Sequence, residues 1–400
     1  MSARSYEIDM TNGPVFKKMV RFAFPLMCSG VLQLLFNAAD VIVVGKFAGD
    51  NSMAAVGSNA ALINLLTNLF IGLSVGANVL AARYYGAKRD EELHAVVHTA
   101  MLLALCSGAG LVAVGEIGAR QVLIWMQTPA AVLDLAALYL RIFFLGMPAM
   151  MLYNFGAALL RAKGDTQRPL YFLLLAGAVN VALNLLLVIQ FRLDVAGVAI
   201  ATVVSQCISA ALVTACLMRE TGGFRLELRS LRIHGDQMKG ILRVGLPAGV
   251  QGVIFSLSNV VIQSSINSLG EVVMAGSAAS ANIEGFVYIA MNAVYQATMS
   301  FTSQSMGAGR LDRVNRIALT GQAFVIATGL VLGIGAWRAG NALLWIYTDD
   351  PAVVQAGIVR LGIICAPYAL CGMMDTMVGT LRGIGYSVMP MIVSLMGACV

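Results

Sequence analysis

An all-α, polytopic membrane fold of two similar six-helix lobes is predicted by three observations. Hydrophobic residues make up 59% of the 400-residue chain and charged residues only 12%, where a soluble globular domain carries roughly 25% charged residues. The apolar residues gather in runs of the length a bilayer demands, about 20 residues each. The chain also repeats itself. Arg21-x3-Pro25-x11-Asn37 returns as Arg243-x3-Pro247-x11-Asn259, and Leu160-Arg161-x2-Gly164-x4-Pro169 returns as Leu381-Arg382-x2-Gly385-x4-Pro390. Gly86-Ala87-Lys88-Arg89 corresponds to Gly307-Ala308-Gly309-Arg310, and the offset stays between 219 and 222 residues throughout. A repeat this long, made of apolar segments, implies two lobes around a central pathway.

Taken in order, residues 1–20 are polar and carry no cleavable leader. Six spans follow, near 22–45, 53–82, 95–115, 135–160, 169–191 and 195–218. A second set lies near 244–268, 273–305, 317–337 and 354–381, with an eleventh run at 387–400. Counted from Val388, that last run has 13 residues, too few to cross. The chain is therefore expected to lack the end of span 11 and all of span 12. The expected domains are a first lobe at 1–218, a linker at 219–240 and a truncated second lobe at 241–400. An even number of spans per repeat makes both lobes enter the membrane from one side, so a pseudo-twofold along the membrane normal should relate them.

Basic residues orient the chain, because Lys and Arg concentrate on the cytoplasmic side. With the N-terminus inside, 20 of the 26 fall on that side, Arg4, Lys17, Lys18 and Arg21 among them. The net charge of +6 is then topogenic, lies at an anionic lipid surface and calls for no nucleic acid.

Enzymatic chemistry finds no footing. The seven cysteines sit in apolar runs with no CxxC pair and read as small core residues. His94 and His98 lie four apart but lack the Glu of a zincin helix. There is no Walker A loop, nucleophile elbow or dinucleotide fingerprint in the chain.

What remains are acids and amides inside the spans, where a charge costs at least about 2.5–3.5 kcal/mol. The acids are Asp40 in span 1, Glu284 in span 8 and Asp375 in span 10. Asp40 aligns with Ile262 in the second repeat, and Asp375 with Asn154 in the first. Scaffold residues such as Pro25/Pro247 and Asn37/Asn259 are duplicated; the charges are not. Gln33, Asn37 and Asp40 share one helical face by their 4- and 3-residue steps. Asn180 and Asn184 do the same in span 5, and Thr202, Ser205 and Gln206 cluster in span 6. Together they suggest a hydrated pocket in the first lobe, with interhelical hydrogen bonding as the plainer alternative. Pro25, Pro148, Pro247 and Pro367 lie in or near span interiors and permit bending. Pro25 and Pro247 are the expected hinges.

On these residues the chain resembles the multidrug and toxic compound extrusion (MATE) family over nearly its whole length. The points of resemblance are Pro25-x11-Asn37-x2-Asp40, Ala158-Leu-Leu-Arg161-x2-Gly164-Asp165-Thr166-x2-Pro169, and Asp375 before Leu381-Arg382-Gly383. The first lobe is most similar to the DinF-like branch. The resemblance implies a monomeric, non-enzymatic antiporter of the bacterial inner membrane, without a bound cofactor. It would exchange protons or sodium for amphipathic, often cationic, drugs and toxic compounds. It further implies that Asp40, Asn180 and Thr202 form the coupling site, and that the branch's second acid falls at Asn184. A sodium site there would lose one carboxylate, so the ion stays open between proton and sodium. Gln33, Asn37, Asn154, Gln206, Glu284 and Asp375 are the expected substrate-cavity residues. A lipid-linked oligosaccharide flippase of the same superfamily is the alternative, and it should show a more cationic cavity.

Overall fold

Nearly every residue of the chain lies in a helix, as expected where lipid cannot hydrogen-bond the backbone. The computed structural model describes residues 6–126 and 128–399; Arg4 lies outside them. The first helices are α1 (Val15–Phe47), α2 (Asp50–Gly86), α3 (Asp90–Trp125), α4 (Ala130–Leu145), α5 (Met147–Lys163), α6 (Gln167–Asn184) and α7 (Asp194–Met218). After two short 3-10 turns come α8 (Gly235–Asn267), α9 (Glu271–Gly307), α10 (Leu311–Arg338), α11 (Gly340–Leu344), α12 (Pro351–Cys365), α13 (Tyr368–Ile384) and α14 (Val388–Cys399). Among the described residues, eight helices are long and apolar enough to cross a membrane, and two bent pairs bring the number to ten. The protein is thus an all-α, multi-pass membrane protein with a repeated order of elements.

The bends fall at two of the four prolines. Helices α4 and α5 meet at 48°, and α12 and α13 at 43°, at Pro148 and Pro367, where the missing N–H opens the backbone ladder. The two expected hinges are different: Pro25 and Pro247 lie inside the uninterrupted helices α1 and α8.

The repeated turn motif has a direct physical cause. Gly164 (φ 106°) and Gly385 (φ 110°) end α5 and α13 in the left-handed region, which favours glycine because it has no Cβ. The N–H groups of Gly164 and Asp165 then satisfy the carbonyls of Arg161 and Leu160 at 3.0 Å each. Gly385 and Tyr386 repeat the arrangement on Arg382 and Leu381 at 2.9 Å each.

The chain divides into two compact units, and the division does not fall at residues 218 and 240. The first comprises residues up to 7 and 28–253, the second 8–27 and 254–400, so both α1 and α8 are cut. In the first unit α5 is central, packing on α2, α3 and α7. The first half of α8 joins this unit at Gly245 and Gly249, which approach Gly72 and Leu73 of α2 so closely that a Cβ would clash. In the second unit α9 packs on α10, α12 and α13. The start of α1 belongs there because Met19 and Phe22 are buried with Phe301 and Ile317. Arg313 fastens the preceding segment, donating from Nε, Nη1 and Nη2 to the carbonyls of Met10, Gly13 and Asn12, each at 2.9 Å.

Candidate functional site

A cavity of about 480 Å³ opens within the first unit, the size range of sites for small organic molecules. Gln33, Asn37 and Asp40 reach it from one face of α1, as their spacing predicts. Asn154 comes from α5, Asn180 from α6, and Thr202 and Gln206 from α7. Phe36, Tyr139, Phe143 and Tyr153 supply aromatic wall. The lining is therefore amphipathic, and among the described residues Asp40 is its one charged side chain, with no Lys or Arg.

Asp40 is 8% exposed, and Asn180 and Asn184 are 4% and 1% exposed. A single hydrogen-bonded string joins them. The Asn184 amide nitrogen donates to Asp40 Oδ1 and, at 3.2 Å, to Asn180 Oδ1. Asn180 Nδ2 donates at 3.4 Å to Thr202 Oγ1, whose own proton goes to the Val198 carbonyl at 2.9 Å. Asn184 is the last residue of α6; Leu185–Gln190 continue as a π-helical turn. Such widenings recur at functional sites, because they redirect side chains that a regular helix would space evenly.

The string leaves an acceptor over. Asn184 Oδ1 is buried and has no hydrogen-bond partner among the described residues. An orphaned amide oxygen beside a carboxylate, with Asn180 and Thr202 oxygens next along the string, is a set of hard oxygen donors carrying one negative charge. Such a set fits a proton or a monovalent hard cation better than a divalent one, which gathers several carboxylates. No group of three or more His, Cys, Asp or Glu side chains positioned to hold a metal ion exists among the described residues.

The other two intramembrane acids are elsewhere. Glu284 and Asp375 belong to the second unit and do not line this cavity. Glu284 accepts from Arg360 Nη2 at 2.8 Å. Asp375 is half-buried on α13. Asn154 lines the cavity while donating to the Met150 carbonyl at 2.9 Å.

Sequence reasoning passed over Asn64 and Thr67 of α2, which also line the cavity. Their three-residue step is the same one-face signal used for α1. The aromatic wall had no such signal, since Tyr139 and Tyr153 resemble any core aromatic in the sequence.

A family model, MatE, matches residues 25–186 and 247–400, one stretch in each repeat. The chain is similar to the probable multidrug resistance protein YoeA of Bacillus subtilis (strain 168), 28% identical over 388 residues, which are 95% of this chain and 84% of that protein. It is similar also to the probable multidrug resistance protein YpnP of the same organism, 26% identical over 97% of this chain and 86% of that protein. The outward-facing conformation of a multidrug resistance MATE family transporter of the MOP superfamily shares the fold, with a TM-score of 0.90 at 23% identity, over 96% of this chain and 86% of that one. The second stretch of the family match runs to residue 400, the last residue of the sequence.

Proposed function

The chain belongs to the MatE family, and on that premise we propose that it is a secondary active exporter of amphipathic, cationic small molecules. The cavity around Asp40 takes the compound, and entry of protons or sodium drives it out by alternating access. The single observation that carries this reading is the buried Asp40 on the wall of an aromatic, amide-lined cavity, held by the string Asn184–Asn180–Thr202. One carboxylate in a low-dielectric cavity attracts a cation strongly, and aromatic faces suit lipophilic cations.

The relatives YoeA and YpnP, named as probable multidrug resistance proteins, support the substrate class. The first-lobe pattern favours a DinF-like branch. The asymmetry of basic residues supports a bacterial inner-membrane location with the N-terminus in the cytoplasm. Coupling requires that the two ligands differ in affinity for the inward- and outward-open states. Asp40 meets this by changing its bond to Asn184 when it binds or releases the ion. A protein monomer suffices, because every residue of the site lies in one unit of one chain. The flippase alternative is disfavoured because no Lys or Arg is among the described residues that line the cavity, whereas a pyrophosphate would need a cationic partner.

The test is dye efflux from everted membrane vesicles carrying Asp40→Asn. Coupled export should be lost while insertion and yield stay near wild type. Wild-type coupled efflux by the variant would remove Asp40 from the mechanism.

A further inference from the structure

We propose that the segment joining α7 to α8, residues 222–234, is a strap that binds the headgroups of anionic phospholipids in the membrane the helices cross. The segment is fastened, not loose. Gly223 sits so close to α3 that a Cβ would come within 2.8 Å of the Asp90 carbonyl. Phe224 and Leu226 are 1% and 3% exposed, and the Phe224 ring meets the Tyr85 ring edge-on at 5.2 Å. His98 donates from Nδ1 to the His94 carbonyl at 2.8 Å and accepts the Glu227 N–H on Nε2 at 3.0 Å. One residue further along α3, Thr99 Oγ1 accepts the His234 N–H at 3.1 Å.

These attachments set the depth of the strap. Helix α3 has 36 residues, about 54 Å at 1.5 Å per residue, so it overhangs a bilayer of about 40–45 Å including headgroups. His98 lies eight residues in from Asp90, about 12 Å along the axis. The strap therefore runs along the flank of α3 at the level of the headgroup layer.

Its outer face is built for that layer. Leu228 and Ile233 are 55% and 43% exposed, and Arg225, Arg229 and Arg232 are exposed between and beside them. In water, exposed aliphatic side chains gain nothing from this placement. At a lipid surface they enter the acyl boundary while guanidinium forks meet phosphate oxygens. Of the acids in and beside the strap, Glu227 lies 3.5 Å from Arg225, while Glu220 turns inward to Lys163 and Arg168. Asp236 and the acids that open α3, Asp90, Glu91 and Glu92, stand beside the three arginines together with Lys88, Arg89 and Lys239, and Glu92 is already paired with Arg89. Zwitterionic lipid would satisfy the apolar residues but not this charge.

The experiment uses the intact protein in nanodiscs of phosphatidylcholine alone or with one-quarter phosphatidylglycerol. Tryptic cleavage after Arg225, Arg229 and Arg232 should be roughly tenfold slower with phosphatidylglycerol, and high salt should remove the protection. Equal cleavage in both discs, or protection indifferent to salt, overturns the proposal. A second readout is the fluorescence of Leu228→Trp, which should be quenched more by brominated phosphatidylglycerol than by brominated phosphatidylcholine at equal content. Adding Arg225→Gln, Arg229→Gln and Arg232→Gln should abolish that preference; equal quenching by the two lipids before those changes also overturns the proposal.

Discussion

Arg360 and Glu284 form half of a fork. Arg360 Nη2 lies 2.8 Å from Glu284 Oε1, while Arg360 Nε and Glu284 Oε2 are buried without a partner among the described residues. Those two atoms would meet each other if the guanidinium edge turned fully onto the carboxylate, the bidentate arrangement such pairs favour. The pair is also peculiar to the second repeat: the equivalent positions in the first are Ile63 and the exposed Arg141. A half-made, half-buried ion pair between α9 and α12 is a contact with a second geometry available to it.

Lysine can supply one end-on bond but no fork. Arg360→Lys is therefore expected to lower efflux about threefold or more while leaving thermal stability within about 1 kcal/mol. Arg360→Ala, which strands a half-buried carboxylate, should cost about 1–3 kcal/mol. Efflux assays and melting in detergent would separate the two effects. Wild-type efflux by Arg360→Lys would mean that the single bond is all the cycle uses.

Replacing Asn184 by Asp should create or strengthen sodium dependence. The Asn184 amide now donates to Asp40, so a carboxylate in its place must share a proton or a cation with its neighbour. Sodium titration followed by calorimetry checks it, and an unchanged titration would show that position 184 does not meet the ion.

Lys88 has φ 57°, whereas the matching residue of the second repeat is Gly309 at φ 70°. A side chain in the left-handed region costs roughly 1–2 kcal/mol. Lys88→Gly should accordingly raise stability by about 1 kcal/mol, read as a higher melting temperature with efflux unchanged.

Glu220 lies outside the spans, 2.7 Å from Lys163 Nζ and 2.5 Å from Arg168 Nη1. Burial opposes its ionisation, but Lys163 and Arg168 outweigh burial and hold the carboxyl below its ordinary value. A depressed folded-state value contributes stability that is present above the unfolded pKa, about 4.3, and is lost as pH falls through the folded one. Glu220→Gln should thus lower stability at neutral pH, and the gap to wild type should narrow as pH falls through the folded-state value, below about pH 4. Melting curves across that range measure it. A gap independent of pH would show that the loss is one of packing.

Local chemistry made much of this protein legible from its sequence alone. Span lengths follow from bilayer thickness, the repeat from its duplicated prolines, glycines and arginines, and the shared face of Gln33, Asn37 and Asp40 from helical periodicity. Each depends on residues near one another in the chain. Tertiary structure decided the rest. Asn184 reaches Asp40 across 144 positions of sequence, and only packing of α1 against the end of α6 could bring them together. Glu284 and Arg360, 76 positions apart, find each other between α9 and α12, so an acid that could have faced the pathway meets an arginine instead. The bends were a choice among four prolines. All four lose the same backbone hydrogen bond, yet α1 and α8 run on through Pro25 and Pro247 while the bends lie at Pro148 and Pro367.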